Sequence, residues 1–257
     1  MIDKLSSIAK NVGRKLIEWR SAGITGGKWD GGQFKAKADL LAHEMLFEQL
    51  SHIPSHIPII SEEDPTSFVN VRPKKYWIID PIDGTASYAH GYSGFVTQIA
   101  LVENDIPQLS VVYAPVFDIL YTAERGKGAF INGKRLCCSQ DVVMKTLIDN
   151  YPEPRGLAKS TYHALNFTHY VECGSISLKI CKIAEGAADL FVKDVLVRDW
   201  DLAPPHLIIE EAGGFLSDVS GKKIEYIGNY NHNGLIAAPS DMMATLFISW
   251  FLNKNER

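Results

Sequence analysis

The sequence has no apolar run of the ~20 residues needed to cross a bilayer; the stretch Met242 to Leu252 is much shorter and reads as a packed helix. Near the start, Ile2, Leu5, Ile8, Ala9, Val12 and Leu16 fall at helical spacing. Lys4, Lys10, Arg14 and Lys15 interrupt them, so the apolar core of a signal peptide is absent and a cytoplasmic location is expected. Cysteine is scarce too. Cys137, Cys138, Cys173 and Cys181 include no C-x-x-C pair, and vicinal cysteines fit disulfide geometry poorly, so reduced structural thiols are expected. There is no surplus of positive charge: 26 Lys and Arg against 30 Asp and Glu give a net −4. That excludes the broad basic surface of a nucleic-acid binder. Repeats, low-complexity tracts and charged tails are missing as well.

What is present is ordinary globular chain, 257 residues with 46% hydrophobic content, enough for one large α/β unit or two closely packed halves. The pattern changes near residue 140. Before it, helices are expected over about 2–21 and 37–52, followed by strands Ile57 to Ile60 and Tyr76 to Ile79. Phe95 to Val102, Gln108 to Ala114 and Ile119 to Ala123 read as an antiparallel meander turned at Asn104-Asp105 and Pro115, with Asn132-Gly133 suited to a tight hairpin. After residue 174, helical and extended signals alternate: Ser177 to Ala188, Leu190 to Lys193, Leu202 to Ala212, Phe215 to Asp218, Gly234 to Ala238 and Ser240 to Phe251. The stretch from about Gln140 to Glu172 carries no clear pattern beyond a turning or extended Tyr151-Pro152-Glu153-Pro154.

The acidic residues fall in informative places. Glu62-Glu63-Asp64 and Asp80-Pro81-Ile82-Asp83-Gly84-Thr85 each follow a strand, so their carboxylates can converge, and like charges brought together call for a cation. All-oxygen donors suit Mg²⁺ better than zinc. Gly84 lets backbone approach a ligand, and a helix starting at Thr85 would aim free N–H groups at an anion. The residues alone leave another reading open, with Asp83 a helix N-cap and the glutamates a solvated turn. A third acidic site, Asp199-Trp200-Asp201, precedes an apolar segment that Asp201 can cap.

Ile60-Ser61-Glu62-Glu63-Asp64, Trp77-Ile78-Ile79-Asp80-Pro81-Ile82-Asp83-Gly84-Thr85 and Trp200-Asp201-Leu202-Ala203 with Glu211-Ala212-Gly213-Gly214 resemble the signatures of the inositol monophosphatase family. Lys37-Ala38-Asp39 and Gly126-Lys127-Gly128-Ala129-Phe130-Ile131-Asn132-Gly133 extend the resemblance, in the family's order, over nearly the whole chain. It implies an α/β (α+β) layered αβαβα sandwich. Residues 1–140 would form an antiparallel-rich part that binds metal and phosphate, and residues 141–257 an α/β part completing the metal site and shaping the pocket. It further implies a phosphatase acting on a small phosphorylated metabolite, a homodimer, two or three Mg²⁺ ions per site and inhibition by lithium.

By the same resemblance, Glu62, Asp80, Asp83, Asp201 and the Ile82 carbonyl hold metal, and Glu62 also orients the attacking water. Thr85, hydrogen-bonded to Asp39, helps activate that water. Gly84 and Thr85 cradle the phosphate. Gly174, Ser175, Asp194 and Asp201 face the substrate, Glu63 stands behind Glu62, and Lys28 is a loose match for an assisting lysine. His90 follows the phosphate turn, where a partly buried structural role is the plainer reading. On substrate the resemblance divides. Asp194 and the Gly126 to Gly133 hairpin fit the inositol and sugar-phosphate branch, which ranks first. Ala38 to His43, Ser61 to Pro65, Ser177-Leu178-Lys179 and Ala184-Glu185-Gly186 lean toward the branch acting on adenosine 3′,5′-bisphosphate. A non-catalytic binding protein is the remote alternative. The intact acidic set argues against it.

Overall fold

In the computed structural model, which describes residues 1–30, 33–53, 56–139 and 144–255, two sheets are interleaved with helices. Helices α1 (Ile2–Ser21) and α2 (Lys37–Ser51) are separated by the hairpin β1 (Gly27–Asp30) and β2 (Gln33–Ala36). A seven-stranded sheet follows in chain order: β3 (Ile59–Ser61), β4 (Lys75–Asp83), β5 (Val96–Glu103), β6 (Ile106–Ala114), β7 (Ile119–Glu124), β8 (Gly128–Ile131) and β9 (Lys134–Arg135). The short helix α3 (Thr85–Ala89) lies between β4 and β5. Among the described residues of this sheet, only the β3–β4 pairing is parallel. The β5–β6 and β8–β9 hairpins close through left-handed pairs, Asn104-Asp105 and Asn132-Gly133, whose positive φ values match the twist of the strands they join.

The second sheet has the order β11-β10-β12-β14-β13, from β10 (Thr146–Asp149), β11 (His169–Glu172), β12 (Leu190–Arg198), β13 (Phe215–Ser217) and β14 (Asn231–Ala238). Its helices are α4 (Gly156–Ala164), α5 (Ile176–Ala184), α6 (Asp199–Glu211) and α7 (Asp241–Asn255). Strand alternation sorts the layers. Along β4, Trp77 and Ile79 pack with Leu5, Val12 and Leu46 of α1 and α2, whereas Tyr76 and Ile78 pack with α5 and α6. Along β12, Phe191 and Val197 face α5 and α6, while Leu190 and Val192 pack with Leu157 of α4 and Phe247 of α7. The result is the expected αβαβα stack, with α5 and α6 as the central layer.

Several boundaries differ from the sequence reading. Strand β3 ends at Ser61, and β4 continues past Ile79 to Asp83 through an irregularity between Asp80 and Asp83. Helix α6 begins at Asp199 instead of Leu202. The expected division at residue 140 falls outside the described residues. Among those described, no helix is long and apolar enough to cross a membrane.

Candidate metal centre and catalytic site

Strand geometry delivers the first carboxylate. Asp80 continues the Tyr76, Ile78 face of β4 and therefore points to α5 and α6, where it is buried. Three residues on, past the irregularity, Asp83 also reaches the central layer. Asp201 comes from the other side, in the first turn of α6. Ligand oxygens of Asp80, Asp83 and Asp201 lie within 4.8 Å of one another.

This cluster is electrostatically strained in the absence of a cation. Burial, then the charges of Glu62, Asp83, Asp201 and Asp39, hold the Asp80 carboxyl well above its ordinary value. Burial and Asp83 push Asp201 up to about 8, against the bond it accepts from the Arg198 amide. Glu62 is thus drawn into the same field from the end of β3, as its sequence position led one to expect. The donors are all oxygen, buried and mutually repelling, which fits a hard divalent cation.

Asp83 is not the N-cap of α3; that place is held by Gly84. Its carboxylate instead accepts from the first turn of α5: Ser175 Oγ at 2.5 Å, the Ser177 amide at 2.7 Å and the Ile176 amide at 3.2 Å. A negative group at a helix N-terminus is favourable, which offsets part of the repulsion. Asp201 is likewise no N-cap. It occupies the third helical position and bonds back to Arg198, whose backbone leads into α6.

Asp39 and Thr85 meet as the resemblance implied. Thr85 Oγ1 lies 3.0 Å from both Asp39 Oδ1 and the Ile82 carbonyl, and Asp39 Oδ2 accepts from the Ala36 amide at 2.7 Å. One hydroxyl proton cannot serve two acceptors. Burial, opposed by the Ala36 bond, pushes Asp39 up to about 7. When protonated, Asp39 donates to Thr85, which then donates to Ile82; when ionised, it accepts from Thr85. Glu63 is close enough to raise Asp39, which sets it behind the main cluster.

Gly84 has φ +91°, and a Cβ there would meet the Gly94 carbonyl at 2.8 Å. Gly174 is required for a different reason: a Cβ would lie 1.9 Å from Ser87 Oγ and 2.6 Å from the Gly94 carbonyl, so backbone packs on backbone. Both glycines also line a cleft of about 790 Å³ beside the acidic cluster, with Tyr92, Phe117, Tyr151 and Pro152 along its walls. His90 lines it too. It is exposed instead of partly buried, with Nδ1 2.7 Å from the Ala86 carbonyl.

Two predicted residues stand apart. Lys28 is exposed on β1. Asp194 is exposed where β12 bulges between Lys193 and Leu196, and it does not line the cleft. Gln98 was not foreseen, and Ser177 was noted only within a substrate motif; both side chains are buried against this centre. Lys179, noted only within a motif, is fully buried; its Nζ donates to Asn150 Oδ1 and, at 3.1 Å, to the Cys173 carbonyl. It thereby ties the end of β10 to the loop that presents Ser175.

Comparison with known proteins agrees with this geometry. The model of the inositol monophosphatase family matches residues 3–254. The 3′(2′),5′-bisphosphate nucleotidase CysQ of Shigella flexneri is 30% identical over 233 residues, covering 88% of this chain and 94% of that protein. Inositol monophosphatase 1 of Solanum lycopersicum is 32% identical over 201 residues, covering 74% and 73%. The crystal structure of extragenic suppressor protein suhB from Bartonella henselae superposes with a TM-score of 0.82 at 26% identity, over 96% of each chain. The chain therefore belongs to the inositol monophosphatase family and is a metal-dependent phosphomonoesterase of that family.

Proposed function

We propose that this chain uses Mg²⁺ to hydrolyse a small phosphate monoester, and that a 3′(2′),5′-bisphosphate nucleotide ranks ahead of inositol monophosphate as its substrate. Glu62, Asp80, Asp83, Asp201 and the Ile82 carbonyl would hold two or three ions. Bound Mg²⁺ supplies charge compensation for the phosphoryl group and a water of lowered pKa. Thr85 Oγ1 accepts a proton from the attacking water and relays its own to Asp39 Oδ1, whose burial keeps it receptive near neutral pH. Gly84 and Thr85 stand beside the reacting phosphate. Gly174 and Ser175 border the substrate.

The observation that carries the ranking is the cleft. Tyr92 and Phe117 put aromatic surface in its wall, which suits stacking on a nucleobase; Tyr151 is already covered by Arg155, and Ser87, Ser93, Asn150 and Glu172 leave polar partners for a ribose. The coverage of the nucleotidase relative points the same way. The inositol reading stays second on the strength of the tomato relative, but Asp194, the acid it relies on, does not line the cleft. Phosphate release from adenosine 3′,5′-bisphosphate and inositol 1-phosphate at saturating Mg²⁺ tests the ranking. The expected kcat/KM ratio favours the nucleotide by at least about tenfold, or ~1.4 kcal/mol. A preference of that size for the inositol ester reverses it.

A further inference from the structure

Helix α6 contains Pro204 and Pro205, and a proline has no N–H for the carbonyl four residues earlier. The carbonyls released are those of Trp200 and Asp201, the residues that begin the metal-binding turn. Neither is left without a donor. Gln98 Nε2, from β5, donates to the Trp200 carbonyl at 2.9 Å, and Ser177 Oγ, from α5, donates to the Asp201 carbonyl at 2.8 Å. The same two residues touch the carboxylates of β4: Gln98 Nε2 is 3.5 Å from Asp80 Oδ2, and the Ser177 amide donates to Asp83 Oδ2 at 2.7 Å. Gln98 and Ser177 are fully buried. Ser110 Oγ of β6 adds a bond to the Pro204 carbonyl.

We infer that Pro204 and Pro205, together with Gln98 and Ser177, form a positioning frame that fixes Asp201 relative to Asp80 and Asp83. Each clamp joins one carboxylate of β4 to one carbonyl that a proline has freed in α6. With alanines in place of the prolines, both carbonyls would turn into the helix's own ladder, and α6 would be free to shift against β5 and α5. The three carboxylates come from two elements far apart in sequence, so their spacing needs a direct tie between those elements. Gln98 and Ser177 are positioning residues and need not touch substrate.

The inference rests on the metal-site reading and is tested by Mg²⁺ affinity in calorimetric titration without substrate, paired with the melting temperature of the metal-free protein. Ser177→Ala should weaken Mg²⁺ binding about tenfold, the range seen when an outer hydrogen-bond partner of a metal ligand is removed, and should lower the melting temperature. Adding Pro205→Ala gives the Asp201 carbonyl a helical donor. The double variant should then regain the melting temperature while its Mg²⁺ binding stays weakened. If both recover, Ser177 merely satisfies a carbonyl and the frame is wrong; Mg²⁺ affinity within twofold of the parent in Ser177→Ala also overturns it. Should Ser177→Ala fail to fold, the double variant carries the measurement. Asp83→Asn separates the two readings, since it loses Mg²⁺ affinity if the metal site is right and keeps it if the site itself is misplaced.

Discussion

Asp199 and Asp201 share the first turn of α6 but lie in opposite electrostatic surroundings. The Asp199 carboxylate, fully buried, has a partner at each oxygen: the Arg72 guanidinium binds one, and His232 Nε2 lies 2.6 Å from the other. Arg72 is itself held by the Tyr76 hydroxyl at 3.1 Å and by the Tyr230 ring, 4.1 Å below it. Asp201 meets Asp83 and Asp80 instead, and its carboxyl is pushed up to about 8. One acid is neutralised within the protein and fastens α6 to the loop before β4. The other is held in an arrangement that a cation completes.

The sharpest way to break this contrast is to neutralise one acid from each group. Asp83→Asn should lower Mg²⁺-dependent phosphate release about a hundredfold or more, since metal charge compensation contributes several kcal/mol. The metal-free variant should unfold near the parent's midpoint, because relief of the repulsion offsets the acceptor lost toward the Ser177 or Ile176 amide. Asp199→Ala should instead weaken the fold. Leaving Arg72 buried without its partner costs about 3–5 kcal/mol, read as a lower urea midpoint with unchanged slope. Equal losses of stability in the two variants would erase the distinction.

Acidity offers a subtler test. In the folded, metal-free protein Asp201 keeps its proton to about pH 8, against an ordinary value of 3.8, and Asp80 and Asp39 shift in the same direction. Between those limits the folded state binds more protons than the unfolded one, so stability falls as pH rises. The clean window is pH 6.5 to 8. Below it His206, lowered to about 4 by burial, destabilises the fold as the unfolded state gains a proton; above it Lys179, lowered to about 8, acts in the opposite sense to the acids. The metal-free melting temperature should therefore decline from pH 6.5 to 8. Saturating Mg²⁺ should flatten that slope, because its ligands are then ionised in both states. A metal-free curve that rises over this interval would remove the strain from the acidic group.

Local patterns were the part of this molecule most open to reading from sequence. The apolar spacing of Leu5, Ile8, Val12 and Leu16 marks α1, and the runs around Asn104-Asp105 mark β5 and β6 within about two residues. The acids of β4 and α6 were found through motifs at strand ends and at a helix start. What escaped was non-local. Strand β10 pairs in parallel with β11 and β12, so the short segments Thr146–Asp149 and His169–Glu172 carry no hairpin signal. Arg72 and Asp199 are 127 positions apart, and Ser175 and Asp83 are 92 apart. The start of α6 escaped for the same reason. The helix begins three residues before the expected Leu202 and runs through Pro204 and Pro205, because donors from β5 and α5 satisfy the carbonyls they release.

The smallest effect is expected at a third acid, which among the described residues neither pairs with a cation nor joins the cluster. Asp194 is exposed at the β12 bulge, opposite Gly234, whose absent Cβ would otherwise lie 2.2 Å from the Lys193 carbonyl. Water screens its charge, so removal should disturb neither the metal field nor the fold. Asp194→Ala should change kcat/KM for adenosine 3′,5′-bisphosphate by less than about twofold, as ordinary surface substitutions do. The same variant assayed on inositol 1-phosphate probes the substrate ranking from the other side. A drop there of about tenfold, equal to ~1.4 kcal/mol, would mean that Asp194 hydrogen-bonds the polyol in the transition state. The bulge would then belong to the pocket, and the solvated acid would join Asp201 as a working one.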